Sequence, residues 1–337
     1  MTGRERVYRT LEMNKPDRPP RELWVLPWAH DRYGKEIEEI RRRFPGDFTG
    51  TPDPLKEVPK TVGDIYATGT FIDEWGCMFT NIQKGVVGEI KHPLIKNDDW
   101  SDSDKVRFPV EWKTVDIDKV NRFCDDTDQF VTSGCCPRPF EQLQFMRGSE
   151  QFFIDLMEQP PEMMTFIDRM HEFYCELLSI WAKTNIDTLN IMDDWGTQTS
   201  LLINPKIWRQ IFKPMYRDYI NIAHGAGKKM FMHSDGHTLE IYPDLIELGL
   251  DAFNSQIFCM GVENLKQFAG KITFWGEIDR QYLLTKASPD EIQTAVKSVK
   301  ESLWSDGGCI AQMEFGAGSK PENVIKAFET WDDLFSA

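Results

Sequence analysis

Residues 188–196 read TLNIMDDWG, and residues 229–236 read KMFMHSDG. In each stretch a short apolar run, typical of a buried strand, ends directly in carboxylate or imidazole side chains. Comparable short runs occur at residues 130–133, 252–254, 272–275 and 309–312. The segments between them have the length and apolar spacing of helices. Short apolar runs that alternate with helices predict a parallel β-sheet covered by helices.

Two architectures contain such a sheet. With a further run at residues 23–26, the 337-residue chain has about seven strand–helix units, close to the eight of a (β/α)8 barrel. A doubly wound sheet is the alternative, but neither a G-x-G-x-x-G sequence nor a P-loop follows any of these runs. We therefore predict an α/β fold, a (β/α)8 TIM barrel. Residues 1–337 form one domain, with an N-terminal helix and a small antiparallel β insertion at about 70–115.

The composition argues against several classes of partner. Lys and Arg number 39 against 54 Asp and Glu, which gives a net charge of -15. Such a surface repels phosphate backbones and anionic lipid, so neither nucleic acid nor a membrane is an expected partner. The seven cysteines show no disulfide or metal-binding spacing, and no apolar run approaches the length of a membrane span. We expect a cytoplasmic protein with reduced thiols.

Polar side chains follow several of the predicted strands. In barrels, the carboxyl ends of the strands converge on the active site. The groups at these positions are Asp193 and Asp194, His233 and Asp235, Gln256, Glu277 and Glu314. A single aspartate there can simply cap the next helix. Repetition at successive strand ends instead predicts a polar pocket at one face of the barrel.

His233 and Asp235 form the candidate metal pair. Alternate residues of an extended chain point to the same side, so the two side chains can share a metal such as zinc. Glu314 or Glu277 would supply a third ligand from another strand end. In the alternative interpretation, His233 is a hydrogen-bonding group of the pocket and Asp235 caps a helix.

The chain also resembles a known family, the uroporphyrinogen decarboxylase superfamily. The stretches that carry the resemblance are DDWGTQ at 193–198, NP at 204–205, KP at 213–214, HSDG at 233–236 and FWGEID at 274–279. The chain is most similar to the methyltransferase branch, whose enzymes exchange methyl groups with corrinoid proteins. The resemblance implies a TIM barrel with its pocket at the carboxyl ends of the strands.

At two motifs the chain departs from its apparent relatives. The decarboxylases carry a Gln-Ala-Gly-Arg-like segment after the first strand, where residues 26–33 here read LPWAHDRY. A porphyrinogen with many carboxylates is therefore a poor candidate substrate. The methyltransferases hold zinc with a His-x-Cys pair and a later Cys. Here His233 matches the first ligand, Asp235 replaces the first Cys, and Glu314 lies near the second position. Oxygen ligands suit polarisation of a substrate oxygen better than activation of a thiol.

We therefore expect an enzyme that moves a methyl group from a small, methoxy-aromatic substrate to the cobalt of a corrinoid carried by a partner protein. Zinc would be bound by His233, Asp235 and Glu314, with Asp193 and Asp194 as further catalytic residues. The predicted substrate-binding residues are Trp28, Trp75, Trp195, Gln198, Gln256 and Glu277. The alternatives are a decarboxylase or lyase acting on a small carboxylate, and a non-catalytic barrel that binds a ligand.

Overall fold

The computed structural model describes residues 1–336 and contains a barrel of eight parallel strands surrounded by helices. In chain order the strands are β1 (Arg21–Val25), β2 (Phe48–Gly50), β3 (Gly69–Ile72), β4 (Met78–Asn81), β5 (Glu89–His92), β6 (Phe130–Thr132), β7 (Thr188–Met192), β8 (Lys229–Ser234), β9 (Ala252–Ser255), β10 (Thr273–Trp275) and β11 (Cys309–Phe315). The barrel strands follow the order β1-β11-β10-β9-β8-β7-β6-β2. The prediction of a TIM barrel is confirmed.

Helices connect and cover the strands. They are α1 (Gly3–Leu11), α2 (Pro27–Arg43), α3 (Ile117–Asp125), α4 (Pro139–Arg147), α5 (Ser149–Glu158), α6 (Pro161–Trp181), α7 (Pro205–Gly225), α8 (Tyr242–Leu248), α9 (Ile257–Met260), α10 (Val262–Leu265), α11 (Pro289–Leu303) and α12 (Pro321–Phe335). The predicted N-terminal helix is α1, which Thr2 caps by accepting a hydrogen bond from the Glu5 amide. Within residues 1–336, every helix is too short or too polar to cross a lipid bilayer.

The inserted segment is an antiparallel sheet of three strands, β3, β4 and β5. Its last strand begins at Glu89, four residues later than the apolar alternation from Gly85 indicates. Trp75, in the turn between β3 and β4, packs its buried ring against Phe173 and Tyr174 of α6. The insertion therefore shares a hydrophobic core with the helical layer of the barrel.

The amino-terminal end of the barrel is filled by apolar side chains. Phe130 and Phe231 stack with ring centroids 5.6 Å apart, and Phe231 also contacts Trp275. Val7 of α1 covers these rings from below and is fully buried. Because this end is closed, the polar groups at the strand termini have space only at the opposite, carboxyl-terminal face.

The barrel is open along one line, between β1 and β2. At the bottom of this seam, Asp47 links the strands: its backbone amide donates to the Arg21 carbonyl (2.9 Å), and its carboxylate accepts from the Arg21 amide (2.7 Å). Above this point, the described residues form no ladder between β1 and β2. The sheet is therefore nearly closed, with a gap in its wall.

Candidate active site

The register of the sheet brings the side chains of Asp194, His233 and Asp235 to the same face of the barrel. Met192 of β7 lies opposite His233 of β8, and His233 lies opposite Asn254 of β9. Asp194 follows β7 by two residues, and Asp235 follows β8 directly. Parallel strands in this register end at the same level, so their terminal side chains meet above the barrel core.

Asp194, His233 and Asp235 form the site triad. Each offers a ligand atom, and these atoms all lie within 4.8 Å of one another. His233 Nε2 is 3.7 Å from Asp194 Oδ1 and 3.6 Å from Asp235 Oδ1. The Asp235 amide also donates to Asp194 Oδ1 at 2.9 Å, which fixes the two carboxylates relative to each other.

Asn254 determines which nitrogen of His233 carries the proton. The Asn254 side-chain amide donates to the Trp275 carbonyl oxygen, so its Oδ1 faces the imidazole. His233 Nδ1 lies 2.6 Å from this oxygen and must donate to it. The lone pair of the neutral ring is therefore on Nε2, which faces the two carboxylates. Such an outer hydrogen bond is the usual means of orienting a metal-binding histidine.

The site triad fits a divalent metal ion such as zinc. The donors of a tetrahedral zinc site lie about 3.4 Å apart, given bonds of about 2.0–2.1 Å. The two distances from His233 Nε2 are close to this value. Asp235 Oδ1 is buried and has no hydrogen-bond partner among the described residues. A buried acceptor without a donor is costly, and a cation bound here would satisfy it.

Arg280, which the sequence analysis did not identify, contacts Asp235 of the site triad and two further carboxylates. Its guanidinium contacts Asp235, and its Nη1 lies 3.3 Å from Glu277 Oε2 and 3.2 Å from Glu314 Oε2. Glu314, predicted as the third metal ligand, thus lies in an ion-pair cluster with Arg280. Asp194 occupies the third place in the group of potential ligands.

Glu277 and Glu314 both have raised pKa values. Burial is the main cause of the shift in Glu277, whose pKa rises to about 8, and the charges of Asp235 and Glu314 add to it against the opposing effect of Arg280. Burial also raises the pKa of Glu314. Glu277 can therefore hold a proton at neutral pH and act as a hydrogen-bond or proton donor.

The adjacent carboxylates Asp193 and Asp194 have different surroundings. Asp193 is fully buried, accepts hydrogen bonds from the Glu141 amide (2.8 Å) and the Tyr216 hydroxyl (2.6 Å), and has a pKa raised by burial. It links α4 and α7 to the end of β7. Asp194 is instead a member of the site triad. The structure therefore brings only the second of the two predicted catalytic aspartates to His233.

Of the six predicted substrate-binding residues, three line one cavity and three lie elsewhere. Gln198 donates to the Gln256 side chain at 3.0 Å, and both line a cavity of about 180 Å³ together with Glu277. The predicted tryptophans lie outside its lining. Trp75 and Trp195 are buried in aromatic clusters, and Trp28 is half-buried beneath Arg32.

The aromatic ring nearest to His233 is one that the sequence analysis did not select. The indole of Trp24, on β1, lies with its centroid 5.4 Å from the imidazole centroid, and it also contacts Trp275. Trp24 lies in the apolar run at residues 23–26, where a tryptophan normally belongs to the hydrophobic core. Only the closure of the barrel brings β1 opposite β8.

Comparison with known proteins identifies the family. The model of the family described as uroporphyrinogen decarboxylase (URO-D) matches residues 74–333. The chain belongs to the uroporphyrinogen decarboxylase family. No curated protein sequence matches this family member. Its fold is similar to that of a methyltransferase from Methanosarcina mazei, with a TM-score of 0.69, 12% identity and 99% of each chain covered.

Other solved structures resemble this uroporphyrinogen decarboxylase family member less closely. A D-psicose 3-epimerase gives a TM-score of 0.41 at 11% identity, covering 67% of this chain and 86% of the epimerase. A 3-keto-D-glucoside 4-epimerase from E. coli gives 0.39 at 10% identity, covering 66% and 84%.

Proposed function

We propose that this family member is a methyltransferase that moves a methyl group from a small methoxy-aromatic compound to the cobalt of a corrinoid on a partner protein. Zinc would be held by Asp194, His233 and Asp235. The observation that carries the proposal is the site triad, in which an oriented imidazole nitrogen and two carboxylates converge on one point. The similarity in fold to a protein described as a methyltransferase also supports it.

The residues of the chain have distinct roles in this proposal. A bound zinc ion would supply Lewis acidity toward the ether oxygen of the substrate. Asn254 keeps the proton of His233 on Nδ1, which leaves Nε2 free as a ligand. Glu277 holds a proton close to the site and can donate it to the oxygen that leaves when its bond to the methyl carbon breaks.

The charge of the pocket argues against a substrate with many carboxylates. Glu277, Glu314 and Asp235 already surround Arg280, so this guanidinium is not free to bind an anionic substrate. An anionic substrate would be repelled by these carboxylates, whereas a neutral methoxy-aromatic compound would not. The second candidate, a decarboxylase of a small carboxylate, is favoured only by the name of the family.

Zinc analysis and a methyl-transfer assay test the proposal together. We expect purified protein to hold about one zinc ion per chain. It should also convert cob(I)alamin to methylcobalamin in the presence of a methoxy-aromatic panel, without nicotinamide, flavin or nucleotide. His233→Ala should lose both properties, whereas His224→Ala, at a histidine paired with Asp251 outside the site, should keep both. Release of carbon dioxide from a carboxylated compound, with no methylcobalamin formed, would establish the decarboxylase instead.

The stability of the same variant tests how zinc relates to the fold. A catalytic metal need not hold the chain together, so His233→Ala should lose zinc with little change in melting temperature. A large fall in melting temperature with unchanged zinc content would make His233 a structural residue and reject the metal site.

A further inference from the structure

The open seam between β1 and β2 contains a cavity of about 430 Å³, which we name the seam cavity. Four consecutive residues of β1, Arg21 to Trp24, contribute to its lining. Successive side chains of a strand point to opposite faces of the sheet. The seam cavity therefore follows the unpaired edge of β1 and reaches both faces of the barrel wall.

Aromatic rings form much of its wall. Trp24 and Phe48 line it from the barrel interior, where they pack against the core cluster of the barrel, while Phe44 and Phe328 line it from the helical layer and stack on each other. Flat, apolar walls of this kind favour a planar aromatic ligand. The volume lies within the range of small-molecule sites.

The charged groups of the lining are two arginines and one glutamate. Arg41 forms no ion pair within residues 1–336. Arg21 is 8% exposed; its guanidinium contacts Asp332, but its Nε has no hydrogen-bond partner in the described chain. Because Asp332 neutralises Arg21, Arg41 is the cation of the lining that has no acidic partner within residues 1–336. It favours an anion, and guanidinium groups match carboxylates best.

Glu22 carries only part of a negative charge at neutral pH. Its carboxyl group accepts a hydrogen bond from the Trp275 indole, and burial raises its pKa to about 7. At pH 7 about half of it is therefore protonated, and at lower pH most of it is; the protonated carboxyl can donate a hydrogen bond to a polar substituent at the inner end of a ligand.

We propose that the seam cavity is a binding site for a small aromatic carboxylate, with its ring between the aromatic walls and its carboxylate toward Arg41 and the unpartnered Nε of Arg21. This site is separate from the site triad, because none of Asp194, His233 and Asp235 lines the seam cavity. The proposal does not rest on methyl transfer, and it stands if the proposed activity fails.

Titration of the full-length protein with benzoate tests the site, with binding followed by calorimetry. Gly50 lines the seam cavity, and a Cβ there would meet only Thr132 Oγ1 at 3.9 Å. Gly50→Phe therefore adds a ring at the wall of the seam cavity, and its Cβ meets no backbone atom. The matched control is Gly225→Phe, because a Cβ at Gly225 would meet nothing within 4 Å.

We expect saturable benzoate binding that Gly50→Phe weakens by at least about tenfold and that Gly225→Phe and His233→Ala leave unchanged. Arg41→Gln, at an exposed position where folding is not at risk, should weaken it by about fivefold. Benzamide should bind more weakly than benzoate.

Three results would overturn the proposal. These are the absence of saturable benzoate binding to the wild-type protein, equal affinities in the wild type and Arg41→Gln, and loss of binding in His233→Ala alone. The last result would place the ligand at the site triad. Circular dichroism establishes that Gly50→Phe is folded before its affinity is interpreted, and Arg41→Gln decides the outcome if it is not.

Discussion

At the scale of single residues, the partner of His233 is a neutral amide. Asn254 fixes the tautomer of the imidazole, because its own amide group is held by the Trp275 carbonyl. We predict that Asn254→Ala lowers zinc affinity by about 10–100-fold, the usual cost of losing such an outer hydrogen bond. Competition with a chelator measures this affinity. Asn264→Ala, at an exposed asparagine, is the control, and equal affinities in both variants would contradict the assigned orientation.

The second prediction tests whether Asp193 contributes to the stability of the fold or to zinc binding. Tyr216→Phe removes the hydroxyl that donates to its buried carboxylate at 2.6 Å. We expect the free energy of unfolding to fall by about 1–3 kcal/mol, while zinc content stays unchanged. Urea denaturation measures the loss. Tyr282→Phe, at an exposed tyrosine bonded to Glu291, should cost less than about 0.5 kcal/mol. A loss of zinc in Tyr216→Phe would instead couple Asp193 to the metal site.

The sequence predicts some of these residues and not others for a physical reason. His233 and Asp235 are two residues apart at the end of an apolar strand, and this spacing is visible in one segment. Arg280 lies in a loop beyond Asp279, and only the closed barrel shows that it contacts Asp235. Choosing Asp194 over Glu314 as the third potential ligand likewise requires distances across the barrel.

At the scale of elements, the loops after β7 and β8 contact each other at Gly196 and Gly236. A Cβ on Gly196 would lie 2.3 Å from the His237 amide nitrogen, so no side chain fits there. We predict that Gly196→Ala costs about 1–3 kcal/mol of stability through overpacking. It should also weaken zinc binding at least about tenfold, because Asp194 and Asp235 lie in the displaced loops.

Gly225→Ala is the control for this variant. A Cβ at Gly225 has open space, and alanine favours the helix, so its stability should be unchanged or up to about 1 kcal/mol higher. Chemical denaturation and zinc titration are measured on both variants. If Gly196→Ala loses stability but binds zinc normally, the contact between the loops has no part in shaping the site.

Element prediction from the sequence succeeds where a strand lies in an apolar run. β7 and β8 contain such runs, with a single asparagine in β7, and lie where the sequence analysis expects them. β2 has only three residues, Phe48–Gly50, and β3 begins at the exposed Gly69. β6 and β10 are equally short but lie in apolar runs, whereas the Phe-Thr-Gly sequence of β2 has no apolar pattern of its own, so pairing with β6 defines it.

At the scale of the whole molecule, one buried carboxylate joins the chain start to the barrel. Asp47 is 3% exposed and pairs with Arg6 of α1 (2.5 Å) and Arg18 (2.7 Å), in addition to the Arg21 amide. Asp47→Asn removes the one acidic partner of the Arg18 guanidinium within residues 1–336 and leaves Arg6 with Asp17 alone. We expect a loss of about 3–5 kcal/mol by urea denaturation, against almost none for the exposed Asp98→Asn. Similar values for both would show that the arginines find other partners.

The pH dependence of stability also belongs to the whole molecule, because the interior of the barrel raises the pKa of Glu22 from its ordinary value near 4.5 to about 7. Between these values the folded chain keeps a proton that the unfolded chain releases. Stability therefore falls as the pH rises through this window. Glu22→Gln keeps an acceptor for the Trp275 indole and removes the titration.

We therefore predict that Glu22→Gln melts a few °C above the wild type at pH 8, and that the difference shrinks toward zero near pH 4.5. Thermal unfolding followed by circular dichroism at both pH values measures this, with the exposed Glu38→Gln as control. Parallel melting curves at every pH would mean that Glu22 ionises in the folded barrel as readily as in water. In that case water reaches it through the seam, and its carboxylate would repel an anion bound there.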